Sequence, residues 1–438
     1  MTLPDVPNRE TAAQAEPTRT TLDNGLLVLV REAHTAPVAS LWLWCRVGTR
    51  HEHAGITGIS HWLEHMLFKG TERWPAGLAD RRISREGGVY NGLTWSDFTT
   101  FFETLPVERL QLALDIESDR LGHAQFSEAD VDSERTVILN ERQGQENSPL
   151  FLLGEEVIAA AYRVHPYGHE TIGHRCDIEA ITYDDLRYHY ATYYRPCNAI
   201  VAVAGDFRAE EIVEAMTHSF GPLDGGTPPP PVRAVEPDQR GERRVTVQGA
   251  GRTCYCDIAY HVPAAVHPDF HPLTVLNAIL CGGSGFLVGR GHLTNHTSRL
   301  YRALVEGEKA VDADGGLTPT LDPGLYRLSA TLWPGAQPGA LEKQIDEEIE
   351  RLQQDLVSDN ELLRARQQAR TLFAYSSESI TNQAFWLGFA EIFADYRWFA
   401  TYLGSLDAVT ADDIQRVAQT YLVPKNRTVG WYIGEETI

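Results

Sequence analysis

The chain has 438 residues, 43% of them hydrophobic and 22% charged, with 36 Gly and 23 Pro. That is a globular composition, long enough for two or three domains with their own cores. The formal charge of −22 argues against a nucleic-acid or anionic-membrane partner, since both require basic surface.

Residues 1–16 are polar and contain no apolar stretch, so a disordered N-terminus without a signal peptide is expected. No run approaches the ~18 apolar residues of a membrane span. The six cysteines show no CxxC spacing. A chain this large does not need disulfides, so reduced thiols in a cytoplasmic setting are expected. Cys254 and Cys256 lie two apart in a strand-like run and would share one sheet face as packing residues.

In chain order, LLVLVRE (26–32) and VASLWLWCRVGT (38–49) read as antiparallel strands. GGVYNGLTWSDFTTFFETLP (87–106) reads as a further strand pair, and helical patterns follow each pair. Strands grouped together with helices segregated predict an α+β fold, an antiparallel sheet covered with helices on one face.

Between the strand pairs, Gly70 is a helix stop, which places a helix over Ile59–Lys69. His61, Glu64, His65 and Phe68 share one stripe, and Ile59, Trp62, Leu63, Met66 and Leu67 cover the rest. A helix apolar nearly all round is buried, so its polar stripe faces the interior or a cleft. Two His at i and i+4 can place both imidazoles on one metal ion, with Glu64 beside it. A second helix starts at Ser127, which with Asp130 forms a capping box. Its Val131, Glu134, Ile138 and Glu141 share a face, and two buried acids there require a cation or donors.

The segment between Gly221 and Gly241 holds four consecutive prolines and reads as an extended linker. It separates similar halves: residues 181–198 align without a gap on 409–426, at an offset of 228. Thr182, Asp185, Tyr193, Pro196 and Asn198 are matched by Thr410, Asp413, Tyr421, Pro424 and Asn426. Two copies of one α+β domain follow from this. The expected division is a metal-binding catalytic domain at 17–222, a linker at 223–241 and a homologous metal-free domain at 242–438.

HWLEH (61–65) is the inverted zinc motif H-x-x-E-H, and its surroundings resemble the pitrilysin-type peptidases. VGTRHE (47–52), SERTVILNE (133–141), HPYGHETIG (165–173), YRPCNAIVAVAGDF (194–207) and SRLYRAL (298–304) extend the resemblance over nearly the whole chain. The resemblance implies one zinc ion held by His61, His65 and Glu141. It makes Glu64 the general base that takes a proton from water and passes it to the leaving amine. Glu134 matches the family's second acidic residue, which supports the site from behind. Asn91 and Gly92 match the sheet edge to which a substrate peptide adds as a strand; the alternative is an ordinary edge turn.

Members with a complete site carry an Arg and then a Tyr after the SRLY segment. Val305 and Val311 stand at those positions here, and neither can donate to an oxyanion. Arg302, one turn earlier, is read as structural. The resemblance therefore points to the zinc-bearing half of a heterodimer with a homologous, metal-free partner, a homodimer being the other arrangement. HLTNH (292–296) repeats the His spacing, but Asn295 replaces the base, so it is read as a relic or coincidence. The activity expected is zinc endopeptidase action on short or unfolded peptides. A maturation protease for one precursor and a non-catalytic assembly subunit of the same fold are the alternatives.

Overall fold

A computed structural model describes residues 16–283 and 296–435. The first half contains β1 (Thr18–Thr21), β2 (Leu27–Glu32), β3 (Val38–Cys45), α1 (Ile59–Leu67), α2 (Leu78–Arg85), β4 (Val89–Thr94) and β5 (Thr99–Pro106). It continues with α3 (Leu110–His123), α4 (Glu128–Glu146), α5 (Pro149–Ala161), α6 (Arg175–Ala180), α7 (Tyr183–Tyr193), β6 (Ala199–Gly205) and α8 (Ala209–Phe220). The second half contains β7 (Arg243–Gly249), β8 (Tyr255–Val262), α9 (Phe270–Leu280), β9 (Ala310–Leu317) and β10 (Gly324–Leu332). After them come α10 (Pro338–Gln354), α11 (Asp359–Ser377), α12 (Ile380–Phe393), α13 (Tyr396–Ala408), α14 (Ala411–Tyr421) and β11 (Arg427–Gly434).

The fold is α+β, with one sheet per half. The first runs β1-β2-β6-β3-β5-β4 and the second β7-β11-β8-β10-β9. Neither is wholly antiparallel as the sequence predicted: β2 pairs parallel with β6, and β7 pairs parallel with β11. The strands 26–32 and 38–49 run in opposite directions but do not pair, because β6 lies between them. β6 arrives some 160 residues later in sequence than β3, so local periodicity carries no sign of the insertion. Its seven residues are all buried, the continuous apolar run of a strand covered on both faces.

That double cover corrects the expectation of helices on one face only. One face of the first sheet presents Leu41, Leu43, Val201 and Val203 to the core formed with α1, α3 and α4. The other presents Trp42, Trp44, Ile200 and Ala202 to the second half, where α12 lies across β3 and β6. The Trp42 indole donates to the Thr381 carbonyl at 3.1 Å, and Trp44 packs against Phe385. A Cβ at Gly388 would fall 2.0 Å from Trp44 Nε1, so only glycine allows this approach.

The exchange is reciprocal. α5 from the first half lies across β7, β8 and β11 of the second sheet, where Leu153 and Val157 meet Ala259 and Tyr432. Shifted by the 228-residue repeat, α5 falls on 377–389, overlapping α12. The repeat is visible in detail elsewhere. Thr182 and Thr410 cap α7 and α14 with Asp185 and Asp413 as reciprocal partners, and Asn198 and Asn426 donate back to Tyr193 O and Tyr421 O. Residues 224–240 carry no regular structure and run along the surface, with Glu236 accepting the N–H groups of Arg163, Val164 and His165.

Among the described residues no helix is long and apolar enough to cross a membrane. All six cysteines are unpaired, and Cys254 and Cys256 both face the core. Residues 1–15 and positions 292–295 of HLTNH lie outside the described residues; His296 is described and stacks on Tyr301.

Candidate metal centre

The centre is built on α1. Ile59, Trp62, Leu63, Met66 and Leu67 are each at most 2% exposed. Each such side chain contributes roughly 1.5–3 kcal/mol relative to exposure, so the helix is firmly seated. Its first turn is buried, and the free N–H groups there need acceptors. Glu52 supplies them, accepting Gly58 N at 2.7 Å and Ser60 N at 2.9 Å. Asp177 fixes the preceding loop through Gly55 N, Thr57 N and the Thr57 hydroxyl. The helix ends at Leu67, two residues before the predicted Lys69, with Phe68 as C-cap and Gly70 at φ 99° completing the stop.

The polar stripe of α1 meets the polar stripe of α4. Glu141 Oε2 lies 3.8 Å from Nε2 of His61 and 3.8 Å from Nε2 of His65. One ligand atom from each residue falls within 4.8 Å of the others, and no other metal-ligating group of this kind occurs among the described residues. Tetrahedral zinc separates its ligand atoms by about 3.3 Å, so a small closure would suit two imidazole nitrogens and one carboxylate oxygen. Burial, with His65 alongside, lowers the His61 pKa to about 3, which keeps its ring neutral as a ligand must be. His65 Nδ1 is 2.9 Å from Glu134 Oε1, which leaves its Nε2 directed at Glu141. The other oxygen of Glu134 is paired with the Lys69 ammonium. Burial raises the Glu134 carboxyl, but Lys69 and His65 outweigh it and the net shift is downward.

Glu64 stands beside this cluster and is 8% exposed. Burial raises its pKa, while a 2.6 Å bond from the Thr94 hydroxyl to Oε2 opposes the shift. Asn91, Gly92 and Thr94 lie on β4, an edge strand that pairs only with β5. The strand runs so close to α1 that a Cβ at Gly92 would fall 2.8 Å from Glu64 Oε1 and 3.0 Å from Phe68. Asn91 is exposed, and its Oδ1 accepts Gly92 N at 2.9 Å. The arrangement combines a candidate cation site, an adjacent carboxylate and an open strand edge.

Comparison with known proteins gives the family of the chain. Residues 27–175 match the family described as Insulinase (Peptidase family M16), and residues 180–369 match that described as Peptidase M16 inactive domain. The chain belongs to peptidase family M16. It is similar to the zinc protease PqqE of Helicobacter pylori, 29% identical over 92% of this chain and 89% of that protein. It is also similar to the probable mitochondrial-processing peptidase subunit beta of Arabidopsis thaliana, 28% identical over 93% of this chain and 76% of that protein. Among solved structures, a protease from Helicobacter pylori superposes with a TM-score of 0.90 at 27% identity, covering 95% and 99% of the two chains. A peptidase M16 inactive domain from Pseudomonas fluorescens shares the fold, with a TM-score of 0.85 at 18% identity over 96% and 98%.

Within this M16 peptidase, the structure brings together His61, His65, Glu141, Glu64, Glu134 and the β4 edge. It differs from the sequence expectation at Glu141, whose side chain is 38% exposed rather than buried. Val305 ends a short π-turn, and Val311 is half-exposed on β9, the edge of the second sheet. Arg302 lines a polar cavity of about 570 Å³ with Arg299, Gln344, Glu348 and Arg351, a setting within the second half. Glu52, Lys69 and Thr94 were not singled out from sequence. Strand alternation places Thr94 on the face of Gly92, and i, i+4 spacing places Lys69 beside His65; both signals were present.

Proposed function

We propose that this M16 peptidase is a zinc-dependent endopeptidase acting on short or unfolded peptides. In this reading residues 17–222 are the catalytic domain, 223–241 the linker and 242–438 the metal-free domain. The observation that carries it is the placement of Glu141 Oε2 at 3.8 Å from both His Nε2 atoms, with the Glu64 carboxyl beside them. His61, His65 and Glu141 are the residues that would hold the ion. Bound there, zinc supplies Lewis acidity, polarising a carbonyl and acidifying water. Glu64 takes a proton from the attacking water and delivers it to the leaving amine. Glu134 fixes the His65 ring. The free side of β4 at Asn91 and Gly92 accepts the substrate as an added strand, which selects extended peptides by backbone rather than by sequence.

With Val305 and Val311 where an oxyanion donor is needed, the chain is the zinc-bearing subunit of a heterodimer. Its homologous, metal-free partner supplies the Arg and Tyr. Digestion of an unstructured peptide, with and without a chelator, tests this on the chain alone and on material co-purified with its natural partner. Chelator-sensitive cleavage that needs the partner is the expected result. Full activity of the chain alone would remove the need for the partner, and metal-free, inactive material even with the partner would leave an assembly subunit as the function.

A further inference from the structure

We propose that Thr94 is a positioning residue that divides the work of the Glu64 carboxylate, holding Oε2 fixed and leaving Oε1 as the atom that takes and returns the proton. The inference rests on the endopeptidase reading above and deepens it by assigning the reacting oxygen.

The argument is one of hydrogen-bond inventory. Thr94 is 5% exposed, and a hydroxyl so placed has one proton to give. Two acceptors lie within reach: Glu64 Oε2 at 2.6 Å and Thr99 Oγ1 at 3.3 Å. The Thr99 hydroxyl donates its own proton to the Val47 carbonyl at 2.9 Å. Thr99 Oγ1 is a longer, neutral acceptor, whereas a bond to an ionised carboxylate is short and strong. The proton of Thr94 therefore goes to Glu64 Oε2, and the short distance agrees.

The Thr94 hydroxyl thus ties one carboxylate oxygen to β4 through a short, buried bond, while Thr99 is spent on the Val47 carbonyl. The Thr94 bond fixes the last torsion of Glu64, a broad two-fold rotor that nothing on α1 itself restrains. The second oxygen faces β4 at Gly92, where even a methyl group would fall 2.8 Å from it. Gly92 keeps the space beside Oε1 open at the edge the substrate would join. Oε2 is engaged by Thr94 and Oε1 lies towards the β4 edge, so the two oxygens are not interchangeable.

The test uses Thr94→Val, nearly isosteric without the hydroxyl, and Thr94→Ser, which keeps it. In the assembled enzyme, Thr94→Val is expected to keep one zinc per chain, wild-type zinc affinity in chelator competition and a KM within about twofold. Its kcat should fall roughly ten- to a hundredfold, the scale of a misplaced catalytic group. Thr94→Ser should recover most of it. A crystal structure of Thr94→Val gives a readout independent of activity: the Glu64 carboxylate should leave its wild-type orientation. Unchanged kcat, an unmoved carboxylate or no rescue by serine would each overturn the assignment. So would loss of zinc in Thr94→Val, which would make Thr94 a structural support of the metal site. Wild-type enzyme without chelator-sensitive cleavage would instead overturn the endopeptidase reading, and the carboxylate orientation would still decide the role of Thr94.

Discussion

Glu134 Oε1 lies 2.9 Å from Nδ1 of His65, so one carboxylate sets both the tautomer and the tilt of a proposed ligand. The same carboxylate is shared with Lys69, two residues past the end of the helix that carries His65. Lys69→Met removes the cation that outweighs the burial of Glu134. Zinc affinity should fall about tenfold, the lower end of the range for an outer-shell partner. Chelator competition measures it, and an unchanged affinity would mean that His65 alone holds Glu134 in place.

Glu52 closes the buried N-terminus of α1 through Gly58 N and Ser60 N. Glu52→Ala leaves both donors without an acceptor and should cost about 2–3 kcal/mol. Urea denaturation of the metal-free chain reads the loss. A shift below half a kilocalorie would show that water or a neighbour replaces the cap.

How far the site was legible follows from these residues. The His61–Glu64–His65 spacing and the Ser127 cap are local patterns, and the structure forms both helices close to where the pattern sets them. Glu141 and Glu134 fell on one face by helical period alone. Lys69 and Thr94 meet Glu134 and Glu64 only when α4 and β4 close on α1, so their own segments show the face and not the partner. The same holds for the fold. Two α+β copies were visible in the repeat, but the exchange of α5 and α12 was not, because periodicity shows that a face is apolar and not which half will cover it.

The exchange has its own test. A side chain at Gly388 collides with the Trp44 indole, whose ring is fully buried. Gly388→Val should overpack the junction of α12 and β3 and destabilise the protein by about 1–3 kcal/mol or more. Because α12 covers the first sheet, near-ultraviolet signals from Trp42 and Trp44 should change with the same midpoint as global unfolding. Two separate transitions in the wild type would contradict interlocked halves.

A second link between the halves predicts a pH dependence. Asp322 accepts Arg50 Nε at 2.6 Å and lies 3.0 Å from His165 Nε2. Burial alone would raise this carboxyl, but His165 and Arg50 outweigh it and lower its pKa to about 2. A folded-state pKa below the unfolded one means stability that is present above the unfolded value and lost as the carboxyl protonates. The contribution should therefore be complete above about pH 5 and fade towards pH 2. Wild type and Asp322→Asn should differ in denaturation midpoint at pH 7 and converge in acid; a difference that grows in acid would reverse the sign.

The central claim is that His61, His65 and Glu141 hold one zinc ion and Glu64 acts beside it. Metal analysis of four purified proteins tests it in one measurement: wild type, Glu64→Gln, Glu141→Gln and His61→Ala. The account predicts close to one zinc per chain in wild type and in Glu64→Gln, and strongly reduced zinc in Glu141→Gln and His61→Ala. Wild type without zinc, or equal zinc in all four, would contradict it.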